Sequence, residues 1–133
     1  MTACDTGFFV EYLNANDQAA EVLATARAKR QKLVISVISL FELRRLALKG
    51  VIDPERTEKL LMLLPSLCRV VYLDQDAHEL LEQAARLAHG NGLSMADSLV
   101  LGSALLAGAD TLYTTDRDVA KYKGKAGPTV VLL

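Results

Sequence analysis

The chain has 133 residues, of which 51% are hydrophobic and 23% charged, an ordinary balance for one globular domain that argues against disorder. No apolar run approaches the ~20 residues that span a bilayer, and the opening MTACDTGFF lacks the basic region of a secretory signal, so we predict a cytoplasmic protein. The formal net charge is −1, from 15 Lys plus Arg and 16 Asp plus Glu, so any affinity for nucleic acid must come from a local patch or from bound cations.

Short apolar runs alternate with helical patterns along the chain. In chain order the sequence predicts a strand at 3–4, a helix capped by Asn16, a strand at 33–37, a helix capped by Asp53, a strand at 70–73, a helix at 77–88, a helix opened by Ser94 that runs to Gly108, and strands at 111–114 and 129–132. Gly90 and Gly92 are expected just past the end of the 77–88 helix. Strands without polar alternation suit a parallel sheet covered on both faces. We therefore predict an α/β fold with three layers, α/β/α, in a single domain of residues 1–133.

Four acidic residues stand next to the predicted carboxyl ends of strands or the starts of the helices that follow. Asp5 comes after the first strand, and Asp116 comes after the fourth. Glu42 lies five residues after the second strand, in the first turn of the helix predicted there, and Asp97 lies in the first turn of the helix that Ser94 opens. Because these ends share one edge of a parallel sheet, where ligands bind, we expect the four carboxylates to meet in one crevice.

Helix capping is an alternative role for each acid. Ser39-x-x-Glu42 and Ser94-x-x-Asp97 both match the capping box, and the other two acids could cap the helices that follow them. An anionic side chain at a helix start stabilises any protein by roughly 0.3–1 kcal/mol. Both roles stay open for each acid taken alone.

Taken together, the four acids favour a metal site. Crowded carboxylates raise one another's pKa, and a bound divalent cation relieves that repulsion. Mg²⁺ prefers carboxylate and water oxygens, and the set contains no His or Cys, so the sequence predicts Mg²⁺ or Mn²⁺ rather than Zn²⁺. Cys4 and Cys68 lie in strand-like segments and are expected to be buried, reduced thiols.

The four acid-bearing segments resemble the four motifs of PIN domains, in order and at the family's spacing. They read CDTGFF at 4–9, VISLFEL at 37–43, LSMADS at 93–98 and LYTTDRD at 112–118. The resemblance covers essentially the whole chain and is strongest to VapC-type toxins. One departure is Gly7, where many members have Asn or Ser, and the loss of that polar side chain is expected to loosen the surroundings of the acids.

The resemblance implies a five-stranded parallel sheet with helices on both faces and a metal-dependent endoribonuclease. It implies a role for seven side chains: Asp5, Glu42, Asp97 and Asp116 as catalytic acids, with Asp5, Asp97 and Asp116 as Mg²⁺ or Mn²⁺ ligands; Asp118 as a ligand directly or through water; and Thr6 and Thr114 as supporting hydroxyls. It also implies a homodimer and a small antitoxin that plugs the acidic pocket. The leucine-rich segment 60–67 could line a dimer or antitoxin groove, or belong to the core.

Basic side chains close to the acids could form the local positive patch that a chain with a net charge of −1 needs to bind nucleic acid. The RNA-contacting residues that we predict are Arg44, Arg117, Lys121 and Lys123, and Lys125 and Arg45 lie close to them in the sequence. They could hold phosphates that flank the site, or they could be an ordinary solvated surface. Tyr122 could stack on a base or pack against the domain.

Two other functional classes remain open from the sequence. Asp-based phosphatases also carry an Asp after the first strand, but they need a second acid two residues later, where this chain has Gly7. A non-catalytic PIN-like module that binds RNA or protein is the other alternative. Retention of four mutually repelling carboxylates argues for catalysis over such a module.

Overall fold

The computed structural model describes residues 1–125 and 127–133, and within them five strands form one sheet. The strands are β1 (Thr2–Cys4), β2 (Leu33–Ser36), β3 (Cys68–Val71), β4 (Thr111–Thr114) and β5 (Thr129–Leu132). Their order across the sheet is β3-β2-β1-β4-β5, and every neighbouring pair is parallel. The predicted α/β class with a five-stranded parallel sheet is therefore confirmed.

Helices cover both faces of this sheet. The described residues form α1 (Thr6–Leu13), α2 (Asp17–Ala28), α3 (Val37–Leu48), α4 (Pro54–Leu67), α5 (His78–Asn91), α6 (Met95–Leu106) and α7 (Arg117–Ala120). Buried side chains of α1 to α4 pack on one face, and those of α5 to α7 pack on the other. No helix in these described ranges is long and apolar enough to cross a membrane.

The central strands bury both of their faces. Along β2, Val34 joins the core beneath α5 to α7, whereas Ile35 joins the core beneath α1 to α4. Their side chains are 1% and 0% exposed. Such strands leave no place for a polar side chain on alternate residues, which explains the unbroken apolar runs in the sequence.

The β3 strand lies two residues earlier than predicted. Its register pairs Cys68 with Leu33, so the strand ends at Val71. Tyr72 and Leu73, which we placed in the strand, lie beyond it and are exposed. The apolar run 70–73 was misleading because β3 is an edge strand, in which strand pairing and not burial decides where the strand begins.

Most helix caps follow the sequence, with corrections at α3 and α5. The predicted caps Asn16, Asp53 and Ser94 each accept a backbone hydrogen bond at the start of their helices. Gly90 belongs to α5, which continues to Asn91 and ends at Gly92 in the left-handed conformation (φ +64°). The helix α3 begins at Val37, which we had assigned to the second strand.

The chain reverses its direction across the sheet at β1. From β1 it runs outward through β2 to β3, and it then returns to the other side of β1 to add β4 and β5. The carboxyl ends of β1 and β4 therefore flank the point where the strand order reverses, which is where open α/β sheets bind ligands. Asp5 and Asp116 follow these two ends.

Candidate functional site

Asp5 is both a helix cap and a buried carboxylate at the carboxyl end of β1. Its Oδ1 accepts a hydrogen bond from the Phe8 N–H (2.9 Å), and its Oδ2 accepts one from the Thr114 hydroxyl. The residue is 8% exposed. Burial raises the pKa of Asp5, bonds from Thr114, Phe8 and the Thr115 backbone lower it, and the charge of Asp116 raises it again. The capping prediction is thus confirmed for this residue, whose carboxylate also interacts with that of Asp116.

Thr114 joins the ends of β1 and β4. Its side chain is fully buried, it donates to Asp5, and it accepts from the Asp116 N–H (2.9 Å). Asp116 in turn caps α7, because its Oδ1 accepts from the Asp118 N–H (2.7 Å) and the Val119 N–H (3.2 Å). One hydroxyl therefore fixes the position of two acids that stand far apart in the sequence.

Glu42 accepts a hydrogen bond from a hydroxyl of α1. The Thr6 hydroxyl donates to Glu42 Oε1 (2.7 Å), and Ser39 Oγ lies 3.0 Å from the same Thr6 oxygen. Two predictions are wrong here, since Ser36 caps α3 and Glu42 lies beyond its first turn. Ser39 is not a cap but a fully buried residue inside the helix. The contact of Ser39 with Thr6 was not predicted, because the Ser-x-x-Glu spacing also fits a capping box.

Asp97 completes the cluster from the other side of the sheet. It lies in the first turn of α6, where its N–H donates to Ser94 Oγ (3.1 Å). Burial raises the pKa of Asp97, the hydrogen bond with Ser94 lowers it, and the charges of Asp116 and Glu42 raise it further. Asp97 thus interacts with both Asp116 and Glu42, so the four predicted acids are connected by pairwise electrostatic interactions.

These four acids are not neutralised by Lys or Arg. The ion pairs found among residues 1–125 and 127–133 involve none of Asp5, Glu42, Asp97 and Asp116. Asp118 differs, because its exposed carboxylate lies 3.6 Å from Lys121 Nζ. A group of acids without cationic partners at one edge of a sheet is costly for the fold, and a divalent cation would relieve that cost.

The donor chemistry fits a hard divalent cation. Within the described residues no three His, Cys, Asp or Glu side chains already converge as a ready set of metal ligands. Mg²⁺ does not require such a set, since it commonly keeps several waters and takes one or two carboxylates together with substrate phosphates. The acids that interact in pairs, Asp5 with Asp116 and Asp116 with Asp97, offer that number of oxygens.

Comparison with known proteins assigns the family. Residues 3–125 match the PIN domain family. The chain belongs to this family. No curated protein matches the sequence significantly.

Solved structures show the same PIN fold. The chain is similar to a toxin-antitoxin complex from Klebsiella pneumoniae, with a TM-score of 0.73, 21% identity, and coverage of 98% of this chain and 96% of that one. It is also similar to VapBC2 from Rickettsia felis bound to a DNA fragment from its promoter, with a TM-score of 0.65, 23% identity and coverage of 86% of each chain. A third similar structure is FitAcB from Neisseria gonorrhoeae, with a TM-score of 0.62, 21% identity and coverage of 90% of each chain.

The basic residues predicted for RNA binding lie in two settings on the PIN domain. Arg44 lies 3.4 Å from Glu58 of α4, and Lys121 pairs with Asp118, so both already have a weak exposed partner. Arg117 and Lys123 are exposed near α7. Tyr122 packs against the core beneath α5 to α7, which is the second of the two roles considered for it.

The leucine-rich segment of α4 is only partly core. Leu60 and Leu64 are buried, at 5% and 0% exposure, whereas Met62 and Leu63 are 75% and 56% exposed. The core interpretation is therefore confirmed for one face of the helix, and the groove for a partner stays a prediction for the other face. Its exposed face remains available to a partner.

Gly7 allows a close contact that the sequence analysis missed. A Cβ atom built on Gly7 would lie 1.7 Å from Thr115 Oγ1 and 2.8 Å from Thr115 Cβ. The Thr115 side chain therefore fills the space beside the first turn of α1 that a residue larger than glycine would need. A hydroxyl from the loop after β4 thus occupies the space beside Gly7, and the loosening expected around the acids stays a prediction.

Proposed function

We propose that this PIN domain is a Mg²⁺- or Mn²⁺-dependent endoribonuclease and the toxin of a toxin-antitoxin pair, with residues 1–133 acting as one domain. The observation that carries the proposal is the gathering of Asp5, Glu42, Asp97 and Asp116 at one sheet edge without a Lys or Arg partner among the described residues. Family membership and the likeness to toxin-antitoxin complexes support it.

Three carboxylates are the candidate ligands. Asp5, Asp97 and Asp116 would hold the ion directly or through water, and Asp118 would join them after releasing Lys121. When bound, the ion supplies Lewis-acid chemistry, by lowering the pKa of a water and neutralising charge on the phosphodiester. Both oxygens of Asp5 already accept hydrogen bonds, so its carboxylate is oriented before any ligand arrives.

Glu42 is positioned for the attacking water. Because the Thr6 hydroxyl fixes one of its carboxylate oxygens, Glu42 can accept a hydrogen bond from that water with the other and orient it. Attack of the water oxygen on phosphorus breaks the bond to the 3′ oxygen and leaves a 3′-hydroxyl and a 5′-phosphate. The Thr6 hydroxyl, which also contacts Ser39, restrains the Glu42 carboxylate.

Capping and catalysis are compatible in this geometry. Asp5 caps α1 and Asp116 caps α7. The hydrogen bonds from the helix N–H groups fix the directions of the two carboxylates. A carboxylate held by backbone N–H groups loses little further entropy when it binds a ligand. The capping role therefore prepares the site and does not compete with it.

The proposed partners follow from the same comparisons. Similar structures contain an antitoxin, and two of them also contain DNA. We expect a small antitoxin that inserts a basic side chain into the acidic crevice. We also expect a homodimer in which the exposed face of α4 takes part. The phosphatase alternative is excluded by family membership, and the non-catalytic binding module is the remaining competitor.

The decisive experiment combines metal binding with cleavage. Calorimetry should detect Mn²⁺ binding to the wild type, and a labelled RNA should be cut with Mn²⁺ or Mg²⁺ but not with excess chelator. Asp116→Asn should weaken Mn²⁺ binding and abolish cutting, whereas Asp76→Asn, at an exposed site outside the cluster, should change neither. Mn²⁺ binding without cleavage of any RNA would favour the non-catalytic module, and equal cutting in chelator would exclude the metal-dependent mechanism.

A further inference from the structure

A second charged surface lies at the edge of the sheet opposite the acids. We define the basic edge as Arg27, Arg30, Lys32 and Arg69. Lys32 directly precedes β2, and Arg69 is the second residue of β3, so both mark the amino ends of parallel strands. The acids follow the carboxyl ends of neighbouring strands. Strands of four residues span roughly 13 Å, so the two surfaces are separated by at least the height of the sheet.

The basic edge is concave. Two adjoining cavities, of about 550 Å³ and 310 Å³, share Gln31 and Lys32 in their walls. The larger cavity also contacts Arg69, and the smaller one contacts Arg27 and Arg30. No aromatic side chain is among the described residues that line either cavity. The surface therefore offers positive charge and an amide but no ring on which a base could stack.

Within the described residues, the four cations of the basic edge have no acidic partner. The sequence contains no Asp or Glu in 22–41 or in 59–73, the two stretches that supply them. Asp110, which directly precedes β4 at this edge, pairs instead with the amino group of Met1.

Helix stabilisation accounts for only part of this arrangement. Arg27 lies in the last turn of α2, where a cation interacts favourably with the helix C-terminus. Lys32 and Arg69 lie outside that helix and gain nothing from it. Four exposed cations around adjoining cavities instead match the requirement for binding a chain of phosphates.

We propose that the basic edge binds the phosphate backbone of RNA at a distance from the acidic crevice, independently of sequence. This inference rests on the proposed ribonuclease function, since RNA is the polyanion which that function brings to the protein. A long or folded RNA would contact both edges, whereas a short fragment would occupy the crevice alone. The basic edge thus favours large substrates and offsets the repulsion between the acids and the RNA.

The test neutralises the basic edge and compares it with a matched variant. The first variant carries Arg27→Ala, Arg30→Ala, Lys32→Ala and Arg69→Ala. The control carries the same loss of charge at exposed sites elsewhere, with Lys49→Ala, Arg56→Ala, Lys59→Ala and Arg86→Ala. Fluorescence anisotropy with a labelled RNA of about 30 nucleotides, measured over a series of salt concentrations in chelator, reports binding without cleavage.

The basic-edge variant should bind the long RNA about 10- to 100-fold more weakly than the wild type. The slope of the logarithm of its binding constant against the logarithm of the salt concentration should become shallower by up to about three. The control should stay within about twofold of the wild type, because its charges do not contact the RNA. Both variants should cut an RNA of about 5 nucleotides in Mn²⁺ at the wild-type rate, since this length fits within the crevice. Circular dichroism confirms that both variants are folded.

Two results would overturn the proposal. The first is an affinity of the basic-edge variant for the long RNA that equals the wild-type affinity, or that is reduced no more than the affinity of the control variant. The second is loss of binding to poly-glutamate in that variant with RNA binding intact, which would assign the surface to an acidic polypeptide. If the wild type binds the long RNA through this edge but cuts neither RNA, the proposed ribonuclease function is contradicted and the binding role of the basic edge is not.

Discussion

Replacing Asp97 by Asn separates catalysis from capping at one residue. The substitution keeps the shape of the side chain and removes its charge. The start of α6 is preserved, since the Asp97 N–H still donates to Ser94 Oγ (3.1 Å). We expect a folded protein that has lost RNA cleavage.

The expected change in stability is small because two effects oppose each other. Loss of an anion in the first turn of α6 costs about 0.3–1 kcal/mol at an accessible site. Relief of repulsion from Asp116 and Glu42 returns a similar amount, since two unit charges about 4 Å apart in water repel by about 1 kcal/mol. The free energy of unfolding should therefore stay within about 1 kcal/mol of the wild type, a shift of a few degrees in Tm.

The pH dependence of this difference has a definite sign. The pKa of Asp97 in the folded protein is raised above its ordinary value of 3.8, mainly by burial. Protonated Asp97 therefore contributes stability that is fully present below pH 3.8, the ordinary pKa. This contribution is lost as the pH rises through the higher pKa that Asp97 has in the folded protein. In metal-free buffer, Asp97→Asn should gain stability relative to the wild type as the pH increases towards neutrality, and the gain should vanish in acid.

Asp17→Asn is the matched control. Asp17 is an exposed acid in the first turn of α2, so its substitution removes the same helix interaction without touching the cluster. Cleavage of a labelled RNA in Mn²⁺ should fall by about 10²–10³-fold or more in Asp97→Asn, as for other single electrostatic groups in active sites, and stay unchanged in Asp17→Asn. An Asp97→Asn protein that cuts RNA at the wild-type rate would refute the assignment, and capping would then be its only role.

Three further predictions concern packing and hydrogen bonding. Gly7→Ala should lower the free energy of unfolding by about 1–3 kcal/mol, because the new methyl group meets Thr115 at 1.7 Å from its hydroxyl oxygen. Thr114→Val keeps the shape but removes the donor to Asp5, so it should cost about 1–3 kcal/mol in thermal or urea unfolding and reduce cleavage. Cys68, whose pKa burial raises to about 12, should react with a thiol reagent at pH 8 only after unfolding.

The predictions for Gly7 and Thr114 each have a control in the same chain. Gly90→Ala, in a helix with open space around it, should stabilise the protein by up to about 1 kcal/mol. Thr111→Val, at the opposite end of β4, should leave cleavage unchanged. A Gly7→Ala protein as stable as the wild type, an active Thr114→Val enzyme, or rapid labelling of Cys68 in the native state would each contradict the corresponding contact.

The sequence was informative wherever the cause of a structure is local. Asn16, Asp53 and Ser94 cap their helices as predicted, because a side-chain oxygen three residues before a backbone N–H is a short-range arrangement. The acids could be placed at one edge because the carboxyl ends of parallel strands always share an edge. The boundary of β3 could not be placed, since its pairing with Leu33 joins residues that are far apart in the chain.

The sequence by itself determined the order of strands and helices, the caps and the clustering of acids, since each depends on neighbouring residues or on the general geometry of parallel sheets. Only the tertiary structure decided which hydroxyls hold those acids. Thr114 reaches Asp5 across 109 residues, and Thr6 reaches Glu42 across 36. The contact of Thr115 with Gly7 likewise joins β4 to α1. Such contacts depend on how the elements pack, which no local pattern encodes, because side chains meet only after the sheet has brought distant segments together.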